Sequence, residues 1–336
     1  MGKWAIGCLL MSSTFSGTFA AAQAKSKLLV VNQGDRNLSV IDPAAGRVIA
    51  DIPVGGITGH EVAVTPDRRT AFVPIYGDSG VGRPGTDGRS IAVIDLPTHS
   101  VRGTVDFSHG VRPHCPIYDT QRNVLYVTSE LDHSVSIVDP RTLKIVGAIP
   151  TGAAESHMLV LSHDGHRGYT ANVGPGSVSV LDMDGRKTLA VIPVAADVQR
   201  ISISSDDRMV FTSDQQQPRL AVIDTATDKV SRWIPLPGIG YGMAVMQGGQ
   251  YLLVTLREAG KVAVVDLRSF TVLRTLDVGK GPVEILLRPE AHTAYVSCPL
   301  DSAVAELALD GAVSSWRLRR MIKAGAGADG LAWAGE

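Results

Sequence analysis

A short apolar segment that ends in aspartate recurs along the chain and constrains the fold more than any other feature of the sequence. The intervals between successive copies are 53, 44, 43, 42 and 42 residues, and a degenerate copy, "VAELA", ends 42 residues after the sixth, at Ala308. The six aspartates are Asp42, Asp95, Asp139, Asp182, Asp224 and Asp266. A nearly constant period of this length indicates a repeat protein.

Each copy belongs to a longer unit of four apolar runs. One unit reads "MLVLSHD", "GYTAN", "VSVLD" and "KTLAVIPV". The runs alternate or are rich in β-branched residues, and Gly, Pro, Asp or Asn separates them, which is typical of short β-strands. Four strands per unit of about 40–45 residues is the spacing of a propeller blade. We therefore predict an all-β, seven-bladed β-propeller of four-stranded blades.

The two ends of the chain indicate how the ring closes. The first repeat begins at "LLVVN", residues 28–32, and lacks an innermost strand. The segment "ADGLAWAGE", residues 328–336, matches the pattern of the missing strand. We predict that this C-terminal strand joins the N-terminal blade and closes the ring, so that residues 25–336 form a single domain.

The N-terminus has the pattern of a secretory signal peptide. Lys3 precedes an apolar stretch, and "AAQA", residues 21–24, provides a small-residue cleavage site. We predict cleavage after Ala24 and a periplasmic or secreted protein, with an N-terminal membrane anchor as the alternative. The exported chain would retain Cys115 and Cys298, which the fold sets far apart, so we expect free thiols.

Composition and the absence of certain motifs argue against several classes of function. The net charge is −1 and charged residues make up 19% of the chain, so no nucleic acid partner is expected. The sequence contains no C-x-x-C-H haem motif, P-loop or G-x-S-x-G elbow. We expect a monomer with no membrane span after cleavage, and a small molecule or a periplasmic protein as its partner.

Histidines occupy equivalent positions in three consecutive blades. Aligning the innermost strands places seven residues at the first position on the top face, where these strands begin: His60, His114, His157, Arg200, Gly242, Val283 and Asp329. The three imidazoles suggest a copper or zinc site with an open coordination position. A metal-free polar pocket, with Arg200 holding an anion, and simple hydrogen bonding to loops are the alternatives.

Loops on the same face add further candidates. A long glycine-rich loop, residues 76–90, begins at Tyr76, and long loops on compact folds are often functional. Tyr76, Glu130 and Arg200 are candidates for catalysis. Tyr76 and Arg200 are also candidates for ligand binding, as is Arg257 in the matching loop of another blade.

Glutamates adjacent to the histidines could orient an imidazole ring. Glu61 and Glu155 follow or precede two of the three histidines, and Glu61 is also a candidate ligand-binding residue. Period-2 alternation turns Cys115, next to His114, away from the channel and into the packing between blades. The six repeated aspartates are expected to cap turns rather than act in catalysis.

The repeat unit "LYVT…SVSIVD…L.IVGAIPTG…VLSHDG" resembles the YVTN-repeat β-propellers, also called YncE-like proteins. The resemblance covers nearly all of the chain after the signal peptide and implies export in a bacterium. Propellers related to this family include lactonases and copper or quinone oxidoreductases. Two hypotheses follow: a binding protein with its site at the channel mouth, or a metal-dependent oxidoreductase, lactonase or lyase at the same place.

Overall fold

The computed structural model describes residues 1–2, 26–78, 80–246, 248–288, 290 and 292–335. The predicted signal peptide, residues 1–24, therefore lies outside the described residues except for its first two. In the described part, no helix has the length and apolar character needed to cross a membrane.

The described residues form 28 strands in seven four-stranded antiparallel sheets. The strands of blade 1 are β1 (Lys27–Asn32), β2 (Asn37–Asp42) and β3 (Arg47–Pro53). The strands of blade 2 are β4 (Ala63–Val64), β5 (Thr70–Gly77), β6 (Asp87–Asp95) and β7 (Ser100–Asp106). The strands of blade 3 are β8 (Pro113–Asp119), β9 (Val124–Ser129), β10 (Ser134–Asp139) and β11 (Lys144–Pro150).

The remaining blades repeat this arrangement. The strands of blade 4 are β12 (Ser156–Leu161), β13 (Arg167–Asn172), β14 (Ser177–Asp182) and β15 (Lys187–Pro193). The strands of blade 5 are β16 (Val198–Ile203), β17 (Met209–Asp214), β18 (Arg219–Asp224) and β19 (Lys229–Pro235). The strands of blade 6 are β20 (Gly240–Val245), β21 (Tyr251–Leu256), β22 (Lys261–Asp266) and β23 (Thr271–Asp277). The strands of blade 7 are β24 (Ile285–Arg288), β25 (Thr293–Cys298), β26 (Ala303–Ala308) and β27 (Arg317–Lys323), and the last strand is β28 (Ala328–Ala334).

Strand β28 closes the ring as predicted. It pairs with β1 and gives blade 1 the order β28-β1-β2-β3. The pairing runs from Lys27 opposite Ala334 to Asn32 opposite Ala328. Closure in this way covers the edge that β1 would otherwise present to solvent.

Burial decreases from the middle strands to the outer strand of each blade. In β10, Val135 and Ile137 pack toward blade 4, whereas Val138 packs toward blade 2. Both faces of a middle strand are therefore buried, which explains its continuous apolar run. The outer strands, such as β11, alternate between exposed and partly buried residues.

The repeated aspartates cap turns, as predicted. Oδ1 of Asp42 accepts hydrogen bonds from the backbone N–H groups of Ala44 and Ala45, at 2.9 and 3.0 Å. Corresponding backbone bonds recur in five of the other six blades, to Asp95, Asp139, Asp182, Asp224 and Asp266. Each aspartate thus closes the turn between the third and fourth strands of its blade.

The two cysteines of the described chain are both free and buried, as predicted. Cys115 packs in the core between blades 3 and 4, against residues such as Tyr126 and Leu159. Cys298 packs in the core between blades 6 and 7.

Candidate functional site at the channel mouth

A β-bulge near the top of the inner strands sets the geometry of the site. In β12, Ser156 pairs with Asn172 and Met158 with Ala171, so His157 is an extra residue in the ladder. Similar register shifts occur in β8, β16, β20 and β28. Bulges re-aim side chains at the rims of closed sheets. Here they fall on the positions that the sequence alignment placed at the channel mouth.

A cavity of about 440 Å³ occupies the mouth of the channel. Six of the predicted site residues line it, namely His60, Tyr76, His114, His157, Arg200 and Arg257. The other two, Glu61 and Glu130, lie outside its lining. The alignment of inner strands therefore placed these residues at one common site. The carboxylates of Glu61 and Glu130 lie behind the cavity wall instead of lining it.

The three histidines lie together, but their rings do not converge on one point. The ring centroids of His114 and His157 are 3.6 Å apart with planes inclined by 30°, whereas His60 meets His114 edge-on at 5.3 Å. A metal bound in the plane of one stacked imidazole lies far from the plane of the other. In the described part of the chain, no group of three or more His, Cys, Asp or Glu side chains is arranged to hold a metal ion. This arrangement does not fit a three-histidine metal centre.

The histidines are uncharged at neutral pH because they are buried. Desolvation lowers the pKa of His60 to about 4, against an ordinary value of 6.5, although the nearby Asp329 carboxylate acts in the opposite direction. Burial also lowers the pKa of His114 and of His157. Each ring therefore offers one hydrogen-bond donor and one acceptor.

Glu130 lies behind the histidines as a buried carboxylate. Its Oε2 accepts a hydrogen bond from the Tyr76 hydroxyl at 2.6 Å and lies 3.5 Å from Nδ1 of His157. Arg112 approaches its Oε1 at 3.6 Å. Burial disfavours ionisation of Glu130, but these three neighbours outweigh it and leave its pKa below the ordinary value. Burial and this carboxylate raise the pKa of Tyr76, which therefore stays protonated and donates.

The glutamates expected to orient imidazoles have other partners. Oε1 of Glu61 accepts a hydrogen bond from Arg200 at 2.6 Å. Oε2 of Glu155 accepts one from the backbone N–H of Gly174 at 2.7 Å. Neither contact involves an imidazole. Glu130, from a loop of another blade, is the glutamate that lies near a ring, at 3.5 Å from Nδ1 of His157.

Arg200 is held by carboxylates of the chain itself. Its Nη1 donates to Glu61 and to Glu284 at 2.6 and 2.7 Å, and its Nη2 lies 3.6 Å from Oδ1 of Asp329. The side chain is only 4% exposed. Three carboxylates thus surround one guanidinium, and the grip of Arg200 on a substrate anion stays a prediction.

The long loop of blade 2 is anchored over the cavity by Arg112. This side chain donates to the backbone carbonyls of Gly80 and Arg83, at 3.3 and 2.7 Å, and to Asp87 at 2.6 Å. Gly80, Val81 and Arg83 line the cavity. Since Arg112 also neighbours Glu130, one arginine connects the loop with the carboxylate behind the histidines.

Sequence reasoning missed several residues of the site. Gln33, Gln199 and Tyr241 line the cavity, and Arg112 supports it. Gln199 and Tyr241 each precede the residue that the alignment selected. A bulge lets two successive residues face the same side, so strict alternation could not find them. Gly242 has no side chain to occupy the aligned position in blade 6. This was the one sign in the sequence that its neighbour Tyr241 could occupy it instead.

Fold and site together define a seven-bladed β-propeller with a polar cavity at the mouth of its channel. A family model described as YNCE-like beta-propeller matches residues 169–291. The uncharacterized protein YncE of Salmonella typhi is 25% identical over 224 residues, which is 62% of each chain. Antigen Lp49 of Leptospira interrogans is 25% identical over 285 residues, which is 76% of this chain and 61% of that protein. These matches support the resemblance of the chain to the YncE-like β-propellers.

Two further comparisons concern length and fold. The chain spans about three fifths of the length of the curated relatives it matches. The periplasmic gluconolactonase PpgL of Pseudomonas aeruginosa superposes with a TM-score of 0.71 at 17% identity, covering 92% of this chain and 98% of that one. A putative 6-phosphogluconolactonase of Bacteroides fragilis gives 0.73 at 12% identity, covering 93% and 99%. At these identities the likeness is one of fold.

Proposed function

We propose that the chain is an exported binding protein that holds a small, oxygen-rich organic molecule at the channel mouth. One observation carries the proposal. Four buried polar atoms in or beside the cavity have no hydrogen-bond partner: Nδ1 of His114, Nδ1 of His157, Oε1 of Glu130 and Nε of Arg200. Buried polar groups in folded proteins are normally satisfied, so this concentration indicates a site that a bound molecule or ordered water completes.

The lining defines the chemistry of the ligand. Neutral imidazoles and the amides of Gln33 and Gln199 both donate and accept, which suits hydroxyl and carbonyl groups. At the rim, the exposed guanidinium of Arg257 lies 5.4 Å from the ring centre of Tyr241. A carboxylate on the ligand would find a partner there. The site therefore suits a small molecule with hydroxyl, carbonyl or carboxylate groups.

The predicted periplasmic location is part of this proposal. It rests on the signal-peptide pattern of residues 1–24. The propeller would act as a monomer, with a periplasmic protein as the alternative occupant of the top face. Fractionation of cells that produce the full chain tests the location, and retention of an uncleaved chain in the cytoplasm would contradict it.

Binding is tested by calorimetry with gluconate, glucono-lactone and citrate as probes. In this proposal at least one probe binds, and Arg257→Ala weakens binding of a carboxylate probe about tenfold. Arg141→Ala is the matched control, because the side chain of Arg141 is 81% exposed and lies in a turn of blade 3. If no probe binds, or if the two variants bind equally, the proposal fails.

Hydrolysis of an ester or lactone is a second candidate, favoured by the pairing of His157 with Glu130. If Nδ1 of His157 carries the proton, it points to the carboxylate of Glu130. Nε2 is then the acceptor, and it lies 3.4 Å from the amide nitrogen of Gln199. Such an imidazole can take a proton from water as a general base. The names of the two lactonase structures support the same chemistry. Lactone hydrolysis that His157→Gln leaves unchanged would exclude it.

A copper or zinc enzyme is the remaining alternative from the sequence. It requires a rotation of His114 or His157 out of the observed stack. Elemental analysis of the protein after incubation with copper or zinc distinguishes the metal site from the metal-free proposal. The triple variant with His60, His114 and His157 changed to alanine is the control. The binding proposal expects less than about a tenth of an equivalent of metal per chain. A full equivalent that the triple variant loses would replace it with the metal site.

A further inference from the structure

A second cavity lies below the Arg200 cluster, in the lower part of the channel. Its volume is about 380 Å³. The inner strands supply its walls, and the apolar side chains among them include Met158, Val160, Ile201, Ile203, Met243 and Val245. Arg200 lines the upper cavity and not this one, so the cluster separates two compartments of different character.

Two carboxylates border this apolar compartment. Glu61 and Glu284 line it, and each gives one oxygen to Nη1 of Arg200. Among the described residues, side-chain hydrogen bonds to these carboxylates come from Arg200 alone, which leaves Oε2 of Glu61 and Oε1 of Glu284 without a donor. The side chains are 8% and 24% exposed. Carboxylate oxygens that line a cavity and lack a donor from the protein are available to a donor on a bound molecule.

The charges of the cluster do not balance. Asp329 is the third carboxylate around Arg200, so three acidic groups share one guanidinium. Burial raises the pKa of Glu61 and of Glu284; Glu284 and Asp329 add to this for Glu61, and Asp329 adds to it for Glu284, against the opposing effect of Arg200. This direction is the one expected where carboxylates outnumber the positive charges around them.

We propose that the lower cavity binds a small organic cation with an apolar body, such as an alkylammonium ion. The ammonium group donates to the free oxygens of Glu61 and Glu284, and the alkyl chain lies along the apolar wall. Burial of the chain supplies most of the affinity, and the carboxylates select for positive charge. Met158 and Met243 give this wall side chains that adapt to different shapes.

Neutral and anionic molecules of the same shape fit less well. A neutral ligand leaves the cluster without the missing positive charge, and an anion adds to the excess of negative charge in a medium of low polarity. The combination of two carboxylates with apolar side chains in one cavity wall therefore points to an amphiphilic cation.

Calorimetry on the folded propeller at about pH 7 tests this assignment with three probes of equal chain length. Hexylammonium should bind about tenfold or more tightly than hexanol, and hexanoate should not bind measurably. Equal affinity for hexylammonium and hexanol would reduce the site to a non-selective apolar cavity and overturn the proposal. Absence of hexylammonium binding would overturn it as well.

Two variants locate the binding. Glu284→Gln keeps the size of the side chain, removes one charge and should weaken hexylammonium binding about tenfold. Glu258→Gln is the matched control, since Glu258 is exposed in a loop of blade 6. Val245→Phe fills the compartment from its wall and should abolish binding, which decides the matter if Glu284→Gln does not fold. Unchanged affinity in a folded Glu284→Gln or Val245→Phe variant would contradict the proposed place.

Discussion

Oε2 of Glu130 lies 3.5 Å from Nδ1 of His157, and both side chains are almost completely buried. The two residues come from different blades, β9 to β10 and β12, and are 27 positions apart. Their proximity places a buried negative charge directly behind the cavity wall.

Replacement of Glu130 by glutamine should destabilise the fold. The variant leaves the buried Arg112 with Asp87 as its remaining carboxylate neighbour, and removal of a buried charge from such a cluster is costly. We expect the free energy of unfolding to fall by about 2–4 kcal/mol, measured by urea denaturation. Asp132→Asn is the control, because Asp132 is an exposed carboxylate in the same loop. Equal stability of the two variants would mean that Glu130 is not the ionised centre of this cluster.

Acidification should destabilise the propeller through His60. Its folded pKa of about 4 lies below the ordinary 6.5, so between these values the unfolded chain binds a proton that the native chain does not. The free energy of unfolding therefore falls as the pH decreases from 6.5 to 4, by up to about 3 kcal/mol from this residue.

The variant His60→Gln lacks this contribution, so its stability should change less over the same pH range than that of wild type. Raised pKa values of Glu61 and Glu284 act in the opposite direction, but both proteins share them and the comparison cancels them. His163→Gln, at an exposed histidine, should retain the wild-type pH dependence. Parallel curves for wild type and His60→Gln would show that His60 titrates normally.

Removal of residues 329–336 should destabilise the whole ring rather than trim its end. The deletion takes away most of β28, including Leu331, which packs in the core between blades 7 and 1. Loss of this packing and of the pairing with β1 should lower the melting temperature by about 10 °C or more in one transition. Removal of residues 335–336 alone keeps β28 and is the control. Equal melting of the two truncated chains would contradict closure by β28.

Both thiols should be unreactive in the native protein. Burial raises the pKa of Cys115 and of Cys298 to about 12, and the thiolate is the reactive form. In the chain without residues 1–24, a disulfide reagent should modify less than about a tenth of the thiols over an hour, and both thiols in denaturant. Rapid native modification of Cys115 would show that the lower channel opens more widely than the structure indicates.

The repeats predicted the fold because they depend on local pattern alone. Strand length, turn residues and period are set by backbone pairing, and the missing inner strand of blade 1 predicted its replacement by residues 328–334. The outer ends of the strands and the turn caps followed from the same pattern. These features need no knowledge of which side chains meet across the channel.

The site was predicted only in part. Aligned strands correctly brought His60, His114 and His157 to one place, but the stacking of two rings depends on side-chain rotation. The partners of Arg200 come from blades 2 and 7 and from β28, and nothing in a repeat specifies contacts across the ring. Glu130 was a candidate from its loop, yet its role behind His157 follows only from packing.

The bulge at the top of the inner strands divides each strand into two parts that tolerate substitution differently. Below it, each residue is tied to the pairing of its blade, and a change there disturbs the ladder. At the bulge, a residue is exempt from that pairing and can vary while the blade stays intact. Blades of the same architecture can in this way present different side chains at the channel mouth. In this ring they present histidine, arginine, tyrosine and aspartate.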